Sequence, residues 1–199
     1  MGTRNLTCVF LDGEYKVAQY GQWDGYPSGQ GTTCLEFLKN MDEEKFKDQL
    51  RKKKFASHDY LRGIYDAFGA VDGWMSIDDS QRLGKKFPEY SRDTAADILD
   101  LIYLDKASEY LKNDIEFAAD SLFCEWAYVI DFDTRTFEVY AGFNQEPLTE
   151  EDRFFWLEQK SYKEHRKDDQ YHPVKIIKSW SLDELPTEDE FIHTLEDDE

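Results

Sequence analysis

The sequence predicts an α+β domain with an antiparallel sheet made of two β-hairpins and a fifth strand, covered by a helical middle segment. Two stretches of strand-forming residues each surround a tight turn, and amphipathic helical patterns lie between them. The chain has 199 residues, of which 40% are hydrophobic and 16% aromatic. A chain of this length buries a sizeable core without help from disulfides or a structural metal.

The first hairpin is predicted over Asn5–Leu11 and Glu14–Tyr20, which flank the dipeptide Asp12-Gly13. Asp-Gly is favoured in the tight primed turns that join antiparallel strands. The apolar side chains of the first strand divide between two faces, with Leu6, Cys8 and Phe10 on one and Val9 and Leu11 on the other. We therefore expect this strand to be central and covered on both sides.

The middle of the chain predicts helices. Capping residues and the 3.6-residue spacing of apolar side chains place them at Thr32 or Thr33 to Asn40, Asp42–Lys54, Ser57–Phe68, 91–Tyr103 and Lys106–Ala119. Segment 69–88 is predicted as a loop with one short helix. The cluster Lys52-Lys53-Lys54 is interpreted as the cationic end of a helix.

The last third of the chain predicts the second hairpin and the fifth strand. The hairpin is expected at Cys124–Phe132 and Thr136–Gly142, and the fifth strand at Val174–Trp180. Between them, Thr149 is predicted to start a helix that carries Phe154, Phe155 and Leu157. Thr187 and Glu190 have capping-box spacing for a final helix. Residues 161–170 are predicted to be a mobile loop. A single domain is expected over 1–195, followed by a frayed acidic tail at 196–199.

The charge balance is strongly acidic. Forty-three acids and 24 bases give −19, and residues 182–199 hold nine acids with no Lys or Arg. Such a surface repels phosphate, so we expect no direct nucleic-acid binding but attraction for a protein with a basic surface. Solubility alone is the alternative reading of these acids.

Three cysteines without a CxxC pair argue against disulfides, and no signal-peptide pattern or long apolar run is present. These features predict a cytoplasmic protein without membrane segments. The sequence carries no indication of oligomeric state.

The bend at residues 21–31, GQWDGYPSGQG, is the most distinctive stretch. Glycines let a backbone approach a ligand, Trp23 and Tyr26 offer flat walls, and Asp24 and Gln22 fix orientation. The alternative is a tightly folded connection, with Asp24 capping a turn amide and both aromatic rings in the core.

Two phrases resemble a group of uncharacterised proteins of phages, bacteria and fungi. They are MGTRNL with AQYGQWDGYPSGQG, and CEWAYVIDFDTRTFEVYAGF. The resemblance spans both hairpins and about two thirds of the chain, and it implies no activity.

The order of elements is also similar to that of N-terminal-nucleophile amide hydrolases, which implies a layered sandwich. This resemblance implies Cys8, or Thr7, as nucleophile and Asp24 as the matching acid beyond the hairpin. The chain departs from that pattern because removal of Met1 exposes Gly2, so Cys8 needs further cleavage to become the first residue. A plain core thiol is the alternative for Cys8.

Two functional hypotheses follow. The first is a non-catalytic, acidic protein-binding or inhibitory module that engages a basic, nucleic-acid-handling partner. The second is an amide or small-molecule hydrolase in which Cys8 is the nucleophile, Asp24 a general base or orienting group, and Arg4 holds an anion. Its ligand-binding residues are Arg4, Gln22, Trp23 and Tyr26. Neither hypothesis includes a metal or cofactor, since the four histidines show no metal-binding spacing and no phosphate-binding motif is present.

Overall fold

The computed structural model describes residues 2–158 and 171–196. Their strands are β1 (Asn5–Leu11), β2 (Glu14–Gly21), β3 (Lys54–Phe55), β4 (Tyr110–Leu111), β5 (Trp126–Asp131), β6 (Thr136–Ala141) and β7 (Lys175–Ser181). The α-helices are α1 (Thr32–Asn40), α2 (Glu43–Leu50), α3 (His58–Ala67), α4 (Ile77–Lys86), α5 (Ile98–Tyr103), α6 (Phe155–Glu158) and α7 (Glu188–Glu196). The predicted α+β class is confirmed.

The main sheet has the order β2-β1-β5-β6-β7. Both predicted hairpins and the fifth strand form, and their pairings are antiparallel. The expectation of a purely antiparallel sheet is wrong at one place, because β1 and β5 pair in parallel. Parallel neighbours need a crossover connection, and the helical middle of the chain supplies it. The layered sandwich of N-terminal-nucleophile hydrolases stays a prediction.

Strand β1 is buried on both faces, as predicted. Val9 and Leu11 join the larger core, to which α1, α2, α5 and α7 contribute Leu35, Phe46, Leu99 and Phe191. Leu6 and Cys8 belong to a second core on the opposite face, together with Ala127, Val129, Phe154 and Leu157. The sheet is therefore the middle layer of the body.

Two of the predicted helix starts are confirmed. The Ser57 side chain accepts a hydrogen bond from the Tyr60 amide, 3.2 Å away. Thr187 and Glu190 form the capping box, since each side chain accepts from the other residue's amide at 3.2 and 2.8 Å. Helix α1 differs, because Gly31 takes the cap position without a side-chain bond.

Two other helix predictions are wrong. Segment 106–119 contains strand β4 and a single 3₁₀ turn, Ile115–Ala119, because Tyr110 and Leu111 pair with β3. Helix α2 ends at Leu50 instead of Lys54. Lys53 does not act as an exposed helix-end cation: it is buried, and its Nζ donates to the Ala107 carbonyl at 2.7 Å.

The predicted mobile loop at 161–170 lies outside the described residues, as do residues 197–199 of the predicted tail. Glu196 is described, and its carboxylate accepts a hydrogen bond from the Ser28 amide at 2.8 Å. Among the described residues, no helix combines the length and the apolar character needed to cross a membrane.

Candidate functional site

The bend, residues 21–31, is tied to distant parts of the chain by main-chain hydrogen bonds. The Gln22 amide donates to the Arg92 carbonyl at 2.9 Å, and the Gly25 amide donates to the Thr3 carbonyl at 3.0 Å. The Tyr128 hydroxyl donates to the Gly25 carbonyl at 2.8 Å. These bonds come from three separate segments, so the bend is a structural junction of the body.

Two glycines of the bend are required by close packing within the protein. A Cβ on Gly25 would lie 2.7 Å from the Thr3 carbonyl oxygen, and one on Gly29 would lie 2.2 Å from the Asp24 carbonyl oxygen. Contacts this short are not tolerated by backbone atoms. The space left by the missing side chains of these glycines is therefore filled by the protein's own backbone.

The two aromatic residues of the bend stand at the surface. Trp23 is 46% exposed and Tyr26 is 53% exposed, so neither ring is packed in the core as the connection reading expects. The Trp23 indole N–H donates to Asp93 Oδ1 at 3.0 Å. Gly2 lies directly against the same ring, where a Cβ would come within 2.1 Å of it.

Arg4 and Gln22 are engaged by neighbouring aromatic residues. The Arg4 guanidinium lies 4.6 Å from the centre of the Phe123 ring, and Gln22 Oε1 accepts from the Tyr20 hydroxyl at 2.7 Å. Arg4 Nε is buried and has no hydrogen-bond partner within the described residues. These contacts position both side chains beside the end of β2.

Cys8 and Asp24 occupy different environments. Cys8 is fully buried within the second core, and burial raises the pKa of its thiol far above the ordinary value. A cysteine nucleophile requires an accessible thiolate, which this environment disfavours. The Asp24 side chain is exposed on the bend, with its backbone in the left-handed region at φ 55°. Cys8 thus lies in a core and Asp24 at the surface. The catalytic assignment stays a prediction.

A cluster of buried charges lies at the other end of the second core. Arg153 pairs with Asp131 and with Glu138, the latter at 2.7 Å. Glu138 also accepts from the Tyr140 hydroxyl at 2.6 Å and from the Thr136 hydroxyl at 2.9 Å. The carboxylate oxygens of Glu138 are thus satisfied by neighbours, which is the arrangement of a structural ion pair.

Sequence reasoning missed a segment with strongly exposed apolar side chains among the described residues. Residues 57–86, called the arm, run through α3, a tight turn and α4. Val71 and Trp74 exchange two main-chain hydrogen bonds of 2.8 and 2.9 Å across Asp72 and Gly73. Positive φ angles of 50° and 82° at these two residues give the turn its primed form. The dipeptide Asp72-Gly73 was the available signal.

The arm presents three large apolar side chains to solvent, together called the tip. Trp74 is 83% exposed, Ile77 is 78% exposed and Val71 is 69% exposed. Helix α3 buries none of its residues, and α4 buries Leu83. Two residues of α3, Leu61 and Tyr65, line a hollow. Tyr60 and Phe68, at either end of the same segment, pack against the rings of Tyr110 and Phe87.

That hollow, called the groove, lies between the arm and the body and has a volume of about 870 Å³. Its apolar walls come from α3, the turn, α4 and the 3₁₀ turn that follows, and they include Leu61, Tyr65, Ala70, Met75, Leu83 and Tyr90. Hollows of this size and composition hold small molecules in other proteins. The bend does not line the groove.

A second hollow of about 590 Å³ adjoins the groove at Lys112. Its walls include Tyr20, Phe117 and Trp156. The Lys112 ammonium lies 2.9 Å from the Asp114 carboxylate. Burial lowers the pKa of Lys112, but the charge of Asp114, its hydrogen bond to Lys112 and the neighbouring Tyr65 and Tyr20 together outweigh burial and raise the pKa overall. Lys112 is therefore a firmly charged cation between the two hollows.

Within residues 2–158 and 171–196, no group of three or more His, Cys, Asp or Glu side chains is arranged to hold a metal ion. Comparison with protein-family models, curated proteins and solved structures found no match. The geometry of the arm, the groove and the bend is therefore the basis for inferring a function.

Proposed function

We propose that this protein is a non-catalytic binding module that inhibits or recruits a basic, nucleic-acid-handling protein, and that the tip of the arm is its main contact. The observation that carries the proposal is the exposure of Val71, Trp74 and Ile77 on one projecting turn. Exposed apolar groups concentrated in one place are typical of protein–protein contacts. Tryptophan is also among the residues that contribute most to binding energy at interfaces.

The charge around the tip indicates the kind of partner. Residues 63–81 contain four acids and no Lys or Arg. Asp72 lies in the turn itself, and Asp78 and Asp79 lie in the first turn of α4. An apolar centre with an acidic rim complements an apolar pocket surrounded by Lys and Arg.

The net charge of −19 means that the rest of the surface also favours a basic partner. A protein that binds nucleic acid carries a basic surface, and a large acidic protein competes with phosphate for it. When this protein occupies the basic surface of its partner, nucleic acid is excluded from that surface, and the partner is expected to be inhibited.

The experiment compares capture of proteins from a nuclease-treated cell lysate by the wild type and by matched variants of the tip and the bend. Trp74→Ala and the double variant Asp72→Asn/Asp78→Asn change the tip. Trp23→Ala and Asp24→Asn make the same kinds of change in the bend.

We expect a captured protein with a pI above about 9. Trp74→Ala should weaken its binding about 30-fold, the equivalent of a hot-spot loss of about 2 kcal/mol. The Asp variants should bind more weakly and respond less to added salt, while both bend variants should bind like the wild type. Equal capture by Trp74→Ala, or loss of capture by the bend variants alone, contradicts the proposal.

A further inference from the structure

The groove beneath the arm has cationic residues at one end, in a chain of net charge −19. Arg62, Arg92 and Lys112 line it, with His58, and the acids that line it are Asp66 and Asp72. The Lys112 ammonium is already paired with the Asp114 carboxylate at 2.9 Å. Arg62 and Arg92 are therefore the cations available to a ligand with negative charge.

The topology gathers these cations at one end of the groove. Strands β3 and β4 are parallel, so His58 and Lys112 follow the same ends of neighbouring strands. Arg62 lies one helical turn beyond His58, with its Nη2 3.5 Å from His58 Nδ1. The body thus supplies Lys112 next to the first turns of α3, which is the base of the arm.

Arg92 lies at the same base. Its carbonyl accepts from the Gln22 amide beside the end of β2, at 2.9 Å. Burial raises the pKa of Tyr20, the charges of Arg4, Arg92 and Lys112 oppose that rise, and the charge of Asp114 adds to it. Arg62 forms no ion pair within the described residues, and the Arg92 Nε is 4.0 Å from the Asp93 carboxylate.

The far end of the groove has a different character. Asp72 belongs to the turn that joins the two helices of the arm, and Asp66 lies one turn of α3 beyond Arg62. Between the base and the turn, the walls are apolar and include Leu61, Tyr65 and Leu83. A peptide with several acids would place some of them near Asp66 and Asp72, where like charges repel. A ligand with a single anionic group on an apolar body avoids this repulsion, because its charge can lie at the base of the groove and its apolar body can lie along the apolar walls.

We propose that the groove binds a small amphipathic anion, with its carboxylate, sulfonate or phosphate at Arg62 and Arg92, beside the Lys112–Asp114 pair, and its apolar body against Leu61, Tyr65 and Leu83. The volume of about 870 Å³ accommodates such a molecule. Guanidinium groups bind planar and tetrahedral oxyanions through paired hydrogen bonds. This site is independent of the tip, because Val71, Trp74 and Ile77 do not line the groove.

The test uses the fluorescence of 8-anilinonaphthalene-1-sulfonate, titrated with the full chain. We expect saturable binding at one site and displacement of the probe by decanoate. The double variant Arg62→Gln/Arg92→Gln should bind the probe at least about tenfold more weakly, equivalent to about 1.4 kcal/mol. The matched control Lys85→Gln removes an exposed cation of the arm that does not line the groove, and it should bind normally.

Further measurements distinguish the proposed ligand from other occupants of the groove. N-phenyl-1-naphthylamine, which has the same apolar body without the sulfonate, should bind much more weakly. The double variant Arg62→Lys/Arg92→Lys keeps the charges but not the paired hydrogen bonds, so it should bind the probe more weakly than the wild type and more tightly than Arg62→Gln/Arg92→Gln. Trp74→Ala should bind the probe normally, so failure of the tip and failure of the groove are separable.

Three results would overturn the proposal. They are unchanged probe binding by Arg62→Gln/Arg92→Gln, equal affinity for the neutral naphthylamine, and displacement by hexaglutamate as effective as displacement by decanoate. The last result would assign the groove to an acidic peptide instead.

Discussion

The bend and the arm contain similar turn sequences, but the two turns are held by different kinds of hydrogen bonds. Each contains an Asp-Gly dipeptide next to a tryptophan, and both aspartates have positive φ, 55° at Asp24 and 50° at Asp72. The bend is held by bonds from Thr3, Arg92 and Tyr128, all distant in sequence. The turn of the arm is held by bonds between Val71 and Trp74, three residues apart.

The difference shows that the Asp-Gly residues determine where the chain reverses direction. Hydrogen bonds to residues distant in sequence determine whether that turn is fixed to the rest of the protein. Trp23 has a hydrogen-bond acceptor and a neighbouring glycine, and it is 46% exposed. Trp74 is 83% exposed. We therefore expect changes in the body to affect stability and changes in the arm to affect binding.

The largest effect on stability should come from the buried ion cluster of the body. Arg153→Met leaves Asp131 and Glu138 without their cation, and breaking such a pair costs about 3–5 kcal/mol. Urea denaturation at neutral pH measures the free energy of unfolding. A loss below about 1 kcal/mol would show that the cluster is solvated in solution and that the body is not more sensitive than the arm.

The pH dependence of stability is the matched control for that variant. Burial raises the pKa of Asp131, but the Thr134 amide and Arg153 outweigh burial, so the pKa is lowered overall. The resulting stability is complete above the pKa that Asp131 has in the unfolded chain, and it is lost as the pH falls through the folded-state pKa. Arg153→Met should lack much of this acid-induced loss, as measured by thermal unfolding at successive pH values.

A smaller effect is expected in the bend. Gly29→Ala forces its Cβ against the Asp24 carbonyl oxygen, 2.2 Å away, and overpacking of this kind costs about 1–3 kcal/mol. The variant should unfold at a lower urea concentration than the wild type. Unchanged stability would mean that the bend is adjustable, as a binding loop would be.

The smallest effect, and the opposite sign, is expected in the arm. Gly63 lies within α3, and no atom lies within 4 Å of the position that its Cβ would occupy. Gly63→Ala should stabilise the protein by about 0.5–1 kcal/mol because alanine has the higher helix propensity. The same urea titration measures it, and destabilisation would indicate that the arm packs more closely than its exposure implies.

The sequence was most informative where a local pattern and the final environment agree. The alternation of side chains along β1 correctly placed Cys8 and Val9 on opposite faces of the sheet. A strand that is buried on both faces has apolar residues on both, which is the pattern seen in its sequence. The pairing of β1 with β5 was beyond local patterns, since they do not specify which strands become neighbours. Segment 106–119 was misassigned for a related reason, because pairing of β4 with β3 overrides helix propensity.

The candidate sites were only partly accessible to sequence reasoning. The glycines of the bend suggested a ligand, but the atoms nearest to Gly25 and Gly29 belong to the protein itself. The arm carried an equally clear signal at Asp72-Gly73. It was overlooked because helices, not alternating strands, flank that turn. The cations of the groove come from three separated segments, so only the fold brings them together.

The parallel contact between β1 and β5 has a consequence for how the chain acquires its structure. Asp133 accepts hydrogen bonds from the amides of Asp12 and Gly13, which precede it by 121 and 120 residues. On a ribosome, the first hairpin must therefore wait until most of the chain has been synthesised before its inner edge is covered. Contacts of such long range slow folding, so this edge stays uncovered for longer than the hairpin itself takes to form.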